Sequence, residues 1–338
     1  MPEAAVFEAP GQPLVHRSFD APTLGAGELL VEVDLCTLCG SDLHTLRGAR
    51  AAPMPSILGH EAVGRVQAAG PDAPAAMGDR VTWSIAASCG TCERCTSGLE
   101  QKCTRLWKYG HEACAAPSEL SGGLAEAIHL RAGTTVVPVP DHVPDEVAAP
   151  ANCATATVAA ALRIAEGVEG REVLVFGAGL LGLTAAAMAR SGGAARVSVV
   201  DPDPVRRALA ARFGADETSA PGGNAAADVV IELSGQPEAV EEGLVRAGLG
   251  ARVVLVGSVA PSRPVALDPE RVVRGLVRIE GVHNYRPQDL GTAVEFLGGP
   301  GTSFPFVELV GAVYPLAQVD RAVAEALTGA AVRVGVRP

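Results

Sequence analysis

Aromatic side chains are scarce in this 338-residue chain, at 4% against 48% hydrophobic residues overall, so the core must be mostly Ala, Val and Leu. Basic residues are short as well: 27 Lys and Arg stand against 38 Asp and Glu, for a net charge of −11. That balance argues against nucleic acid or an anionic membrane as a partner bound through bulk electrostatics. The N-terminus, Met1-Pro2-Glu3-Ala4, lacks a basic region followed by an apolar stretch, so no signal peptide is expected. Internal repeats, charge blocks and low-complexity segments are missing too. Only residues 173–189 are apolar enough to raise the question of a membrane span. They contain Gly177, Gly179 and Gly182 and fall just short of the usual length, so a buried strand–turn–helix is expected.

The length suits two domains of ordinary size. Eight cysteines without a secretory signal fit a reducing cytoplasm. Four of them form one cluster, Cys89-Gly-Thr-Cys92-Glu-Arg-Cys95 and then Cys103. A tight turn is expected to aim three sulfurs inward while a short return strand delivers the fourth. Four thiolates with no open position describe a closed tetrahedral zinc site. The competing reading, buried or disulfide-paired cysteines, fits that spacing poorly.

The first ~150 residues read as strands and loops punctuated by Pro and Gly, with strands expected at 28–35, 64–68 and 79–83. A stiff connector, Pro138-Val139-Pro140-Asp141-His142-Val143-Pro144, precedes a change of texture. From Thr155 onward, apolar strands at 173–176, 196–200, 228–233 and 252–256 alternate with helices at 180–190, 204–213 and 237–247. Such alternation predicts a doubly wound α/β sheet. The chain returns through residues 287–297, a strand near 309–313 and a helix near 316–327.

Gly177-Ala178-Gly179-Leu180-Leu181-Gly182 follows a predicted strand and opens a predicted helix. Glycines there permit a tight turn and close backbone approach, so a pyrophosphate can sit on the helix N-terminus. Asp201 ends the next strand, where a carboxylate can accept hydrogen bonds from ribose hydroxyls and repel a 2′-phosphate. That favours NAD over NADP. Two points compete: Asp201 or Asp203 can serve as a helix N-cap, and Arg206 or Arg207 can approach a 2′-phosphate.

A second constellation combines Cys39-Gly40-Ser41-Asp42-Leu43-His44 with Gly59-His60-Glu61 and, much later, Cys153. Cys39, His60 and Cys153 make a Cys₂His set, one of the recognised arrangements for catalytic zinc. The fourth position is left to water, substrate or a loosely engaged Glu61. From spacing alone, unrelated core residues remain an alternative.

Across nearly its full length the chain resembles the zinc-dependent medium-chain alcohol dehydrogenases. Gly59-His60-Glu61, the four-cysteine lobe, the Cys39–His44 segment and the glycine fingerprint stand in family order. The resemblance implies an α/β protein with a GroES-like, mostly-β catalytic domain at 1–153 and 287–338, carrying the zinc lobe at about 86–112. A Rossmann cofactor domain with a doubly wound parallel sheet would occupy 154–286, and the active site the cleft. Cys39, His60 and Cys153 match the ligands of the catalytic zinc, and Glu61 the acid that can reach it transiently. Asp42 matches the carboxylate that orients the histidine, and Ser41 and His44 the relay that carries the alcohol proton to solvent. Thr157 and Leu181 match positions behind the nicotinamide, Arg206 one near the adenosine and Arg333 one near the pyrophosphate. Gly40 departs from relatives that place Arg there, which implies a weaker phosphate grip.

Two zinc ions per subunit, NAD, a small alcohol or aldehyde substrate and a homodimer or homotetramer follow from the same resemblance. Oligomers would form through the edge strand near 277–281. The segments Lys102–Glu112, Cys153-Ala-Thr-Ala-Thr-Val158 and Asn284-Tyr285-Arg286-Pro287 also resemble a bacterial subgroup named for phosphonate metabolism. Lys108, His111 and Arg286 could then meet an anionic group, as in a hydroxyalkylphosphonate or phosphonoacetaldehyde; ordinary solvated loop residues are the alternative. Other readings are a polyol or amino-alcohol dehydrogenase and a non-catalytic zinc- and dinucleotide-binding sensor or structural protein. Cys36 is expected in the core, Cys114 in a loop, and His16, His129 and His142 outside the chemistry.

Overall fold

The computed structural model describes the whole chain except Ala115, Pro117 and Ser118, and it resolves into two compact units. Met1–Cys153, Arg286–Gly298 and Phe306–Pro338 form the first, and Ala154–Tyr285 with Gly299–Pro305 the second. The short Gly299–Pro305 stretch joins the second unit because Phe304 stacks on Phe213, ring centroids 6.3 Å apart.

The first unit is built on antiparallel strands. At its centre Leu29–Thr37 pairs with Glu61–Ala69 on one side and Arg333–Arg337 on the other. Their registers, Thr37 opposite both Glu61 and Gly335, bring three distant stretches of chain to one end of the sheet. Burial along Leu29–Thr37 is nearly continuous, and Cys36 is wholly enclosed in the core as expected. Arg80–Ala87 extends the sheet and hands on to the two-residue strand Trp107–Lys108. Few aromatics are buried here; Trp83, Tyr109 and Phe7 are the largest enclosed side chains, among many Ala, Val and Leu.

One element was not expected. Gly40–Leu46, within a region read as strands and loops, is a helix capped by Cys39. Asp42 at its third position reaches back to accept a hydrogen bond from the Cys39 N–H at 2.9 Å, which stabilises the first turn. The four-cysteine lobe also differs from expectation. Cys95 lies on the short helix Glu93–Thr96, and Cys103 caps the 3₁₀ turn Glu100–Lys102 rather than ending a strand. A backbone turning on itself needs no partner strand, and the Cys103 N–H bonds to the Glu100 carbonyl at 3.0 Å.

The second unit holds one all-parallel sheet. Its strands run Glu217–Ser219, Arg196–Val200, Glu172–Phe176, Ala227–Glu232, Ala247–Leu255 and Arg278–Gly281. The order reverses between Glu172–Phe176 and Ala227–Glu232, so the crevice at their carboxyl ends is a topological switch point, where open α/β sheets bind ligands. Val-rich runs form these strands because both faces of a parallel sheet are covered. Residues 173–189 fold as the Glu172–Phe176 strand, a turn and the Leu180–Ser191 helix. No single helix among the described residues is long and apolar enough to cross a membrane. The edge strand Arg278–Gly281 has all four residues exposed.

Candidate active site and metal centres

Two cysteine-containing clusters meet the geometry of a metal site. In the first, one donor atom each from Cys39, His60, Glu61 and Cys153 lies within 4.8 Å of all the others. Gly59 makes the approach possible: it has φ +86°, and a Cβ there would lie 2.7 Å from Cys36 Sγ and 2.9 Å from Leu124 N. Asp42, buried at the start of its helix, ties two ligand segments together. Its Oδ2 accepts from Cys39 N–H, and its Oδ1 accepts from Gly59 N–H at 3.2 Å while facing His60 Nδ1 at 3.6 Å.

Glu61 is wholly buried. It accepts from Arg333 Nε at 2.7 Å, Arg333 Nη2 at 2.9 Å and Thr37 Oγ1 at 2.7 Å. Arg333, expected near the pyrophosphate, places its guanidinium against Glu61 at the metal centre. Its Nη2 lies 3.8 Å from Cys39 Sγ. Asn152 is a positioning residue that sequence reasoning missed. Its Nδ2 donates to the carbonyls of His60 at 2.9 Å and Trp83 at 2.8 Å, fixing the chain just before Cys153.

The electrostatics of this cluster fit a cation. A hydrogen bond from Cys153, opposed by burial and aided by Arg333, holds the Cys39 thiol well below its usual range. The same shared proton and burial push Cys153 well above its range. Burial opposes a proton on His60, yet the charge of Asp42 and the Cys39 sulfur outweigh it and push the imidazole up to about 10. Such a buried donor set gathers positive charge, and a zinc ion satisfies it in place of protons.

In the second cluster, Cys89, Cys92, Cys95 and Cys103 again lie within 4.8 Å of one another. Their sulfurs are separated by 3.5 Å (Cys92–Cys95), 3.9 Å (Cys92–Cys103) and 4.0 Å (Cys89–Cys95), far too long for disulfides. A tetrahedron with Zn–S near 2.3 Å has edges of about 3.8 Å, so the spacing matches a closed zinc site. The Thr91 N–H and then the Arg105 side chain push Cys89 down to about 5, and the Thr104 backbone pushes Cys92 down to about 6, whereas burial and the neighbouring sulfurs push Cys95 up to about 12.

The glycine fingerprint occupies the turn between Glu172–Phe176 and Leu180–Ser191, with Gly179 as N-cap. A Cβ on Gly182 would lie 1.7 Å from the Gly177 carbonyl oxygen. No side chain fits there, so the helix can pack against its own loop only through glycine. Gly182→Ala is expected to raise the cofactor Kd at least about tenfold, the low end of overpacking strain. Isothermal titration checks this, and an unchanged Kd would show that the loop does not carry the cofactor.

Asp201 is buried, its Oδ2 accepting from Ala178 N–H at 2.7 Å and its Oδ1 from Asp203 N–H at 2.9 Å. It braces the fingerprint loop and is not a helix cap. The cap is Asp203, which accepts from Val205 N–H at 2.8 Å. Arg206 is exposed and pairs with Asp203 at 3.8 Å, whereas Arg207 donates to the Asp201 and Pro202 carbonyls, both at 2.8 Å. Thr157 and Leu181 are partly uncovered positions on otherwise well-buried helices, Ala154–Ile164 and Leu180–Ser191.

Ser41 and His44 stand one turn apart on Gly40–Leu46, Ser41 half-buried and His44 exposed. His111 comes to the metal centre: its ring centroid is 5.0 Å from that of His60. Burial and the charge of His60 push it down to about 2, and its Nδ1 meets the Tyr109 carbonyl at 2.7 Å. Lys108 is half-buried on its short strand, and burial, then repulsion from Arg50, lowers its pKa. The Arg286 guanidinium lies against Gly98 in the cysteine lobe, where a Cβ would be 3.4 Å from Nη2.

Comparison with known proteins decides the family. Residues 25–141 match the alcohol dehydrogenase GroES-like domain and residues 181–298 the zinc-binding dehydrogenase domain. The chain belongs to the zinc-dependent medium-chain alcohol dehydrogenases. It is 34% identical over 307 residues to a probable alcohol dehydrogenase of Mycobacterium tuberculosis, covering 82% of each chain. It is 30% identical over 280 residues to L-threonine 3-dehydrogenase of Aeromonas salmonicida, covering 78% of each. Among solved structures, an alcohol dehydrogenase from Thermotoga maritima superposes with a TM-score of 0.93 at 28% identity, over 100% of this chain and 99% of that one. This medium-chain dehydrogenase is thus a zinc-dependent, NAD(P)-linked oxidoreductase acting on alcohols, with the GroES-like and Rossmann architecture expected from its sequence.

Proposed function

We propose that the enzyme reversibly oxidises an alcohol bearing an anionic substituent, with NAD as hydride acceptor and one catalytic and one structural zinc per subunit. Cys39, His60 and Cys153, with Glu61 beside them, would hold the catalytic zinc. Cys89, Cys92, Cys95 and Cys103 would hold the structural one. A zinc ion so held supplies Lewis acidity toward an alcohol oxygen. The residues of the chain do the rest. Asp42 and Asn152 keep the ligand segments in place, Glu61 and Arg333 balance the buried charge, and Ser41 passes the alcohol proton toward His44 and solvent. Gly177, Gly179 and Gly182 receive the pyrophosphate, Thr157 and Leu181 back the nicotinamide, and Asp201 receives the adenosine ribose, beside Arg206.

The observation that carries the substrate reading is Lys108. Its ammonium is partly desolvated and repelled by Arg50, while the Cys153 and Cys39 sulfurs attract it, which sets a positive charge beside the metal centre. A phosphonate of the hydroxyalkylphosphonate type satisfies that arrangement. So does the carboxylate of a 3-hydroxy amino acid, a second reading, within the amino-alcohol alternative, favoured by the threonine dehydrogenase relative. His111, neutral beside His60, shapes the pocket without adding charge. Asp201 favours NAD because a buried carboxylate repels a 2′-phosphate.

A panel of short neutral alcohols, polyols, hydroxyphosphonates and 3-hydroxy amino acids, run with NAD⁺ and NADP⁺, tests both choices. The anionic alcohols are expected to lead by at least about tenfold in kcat/KM, the scale of one charge-assisted contact. Equal rates on neutral and anionic substrates would remove the anion pocket, and a clear NADP⁺ preference would overturn the reading of Asp201.

A further inference from the structure

The Ala227–Glu232 strand ends in a carboxylate that the metal centre does not use. Glu232 is 1% exposed. Its Oε1 accepts from Ser234 N–H at 2.6 Å, Ser234 Oγ at 2.7 Å and Gly235 N–H at 2.7 Å. Its Oε2 faces Ser258 Oγ at 3.4 Å, and its main-chain oxygen accepts from the Val256 and Gly257 N–H groups, both at 2.9 Å. One residue therefore joins the turns that leave two neighbouring strands.

Those turns have no slack. A Cβ on Gly257 would lie 2.3 Å from Gly235 N, and one on Gly177 would lie 3.1 Å from Ser234 N. The Glu232 turn is thus pressed between the Gly257 turn and the glycine fingerprint. Three turns at the carboxyl ends of three adjacent strands form one rim, and its shape depends on this carboxylate. Removing it would take the shared acceptor from the partly buried Ser234 and Gly235 N–H groups, and the turns would relax to find others.

Position in the sheet says which part of a ligand this rim serves. A doubly wound sheet binds one mononucleotide on each half, on either side of the switch point. Asp201 lies on the half made by Glu172–Phe176, Arg196–Val200 and Glu217–Ser219, which takes the adenosine end. Glu232 opens the other half. We propose that Glu232 is a positioning residue for the nicotinamide end of the cofactor, holding the 233–236 and 256–259 turns in the shape that receives it. This rests on the reading of the parallel-sheet unit as a dinucleotide site.

Titration of the zinc-loaded enzyme with NAD⁺ and with ADP-ribose, which lacks the nicotinamide, separates the two ends. Glu232→Ala is expected to raise the NAD⁺ Kd about tenfold, because the turn loses three hydrogen bonds to one buried carboxylate oxygen. The ADP-ribose Kd should move less than about threefold. Ser234→Ala, which keeps the Ser234 and Gly235 N–H bonds to Glu232 and loses only the hydroxyl's contacts to Glu232 and to the Gln236 N–H, should shift NAD⁺ in the same direction by a smaller factor. Glu232→Gln keeps an acceptor at Oε1 and should restore binding to within about threefold of the parent. Equal weakening of both ligands, or a lower unfolding temperature with both affinities unchanged, would overturn the proposal. A parent enzyme that binds neither ligand would instead remove the dinucleotide reading on which it rests.

Discussion

Cys39→Ser and His60→Ala are each expected to lose at least about 10³-fold in kcat/KM, because Lewis-acid stabilisation of a developing alkoxide supplies several kcal/mol. The bound zinc should fall from two to one per subunit. The unfolding temperature should stay within about 4 °C of the parent, since no strand pairing is removed. Both side chains face a buried, charge-gathering cluster whose backbone is held by other groups: Asp42 on the Cys39 and Gly59 amides, and Asn152 on the His60 carbonyl. The scaffold therefore outlasts the ligand. Steady-state kinetics with metal analysis checks this, and full turnover by either variant would remove the catalytic metal from the account.

Cys92→Ser is expected to do the opposite. Its sulfur lies 3.5 Å from Cys95 and 3.9 Å from Cys103, at the heart of the closed cluster. Losing it should again leave one zinc per subunit, but the unfolding temperature should drop by roughly 10 °C, because a structural metal contributes directly to folding. Turnover per folded enzyme at low temperature should remain within about threefold of the parent, since a closed site offers no position to substrate. Calorimetry and kinetics on one preparation separate the two effects. A stable Cys92→Ser enzyme with abolished turnover would mean that the lobe takes part in the chemistry.

The contrast between these clusters also explains what the sequence made legible. Cys89, Cys92, Cys95 and Cys103 sit within fifteen residues, so local spacing already encodes their tetrahedron. The fingerprint is legible for a similar reason: Gly182 must be glycine because the Gly177 carbonyl lies directly beneath it, five residues back. Long apolar runs marked the parallel strands, since a sheet covered on both faces shows little alternation. The helix Gly40–Leu46 left no such trace. It is short, has no apolar period, and starts on a cysteine whose cap depends on Asp42.

Contacts across great sequence distance were the least accessible. Arg333 and Glu61 are 272 residues apart, and only the register of three strands brings them together. Asn152 donates 92 residues back to the His60 carbonyl, and nothing in its type or spacing announces that role. Arg286 stands with Lys108 and His111 only through the resemblance of their segments to one subgroup, and its guanidinium lies against Gly98 in the cysteine lobe. Side-chain direction decides such cases, and direction is a tertiary property.

The central claim is that Cys39, His60 and Cys153 hold a zinc ion at which an alcohol gives up hydride to a nicotinamide cofactor. Its most direct test is deuterium transfer from a carbinol-deuterated substrate of the panel, followed by mass spectrometry of the reduced cofactor. Enzyme carrying two zinc ions should deliver the label to the nicotinamide, and His60→Ala carrying one should not. Label transfer undiminished in His60→Ala, or none from the two-zinc enzyme with any alcohol and either cofactor, would contradict it.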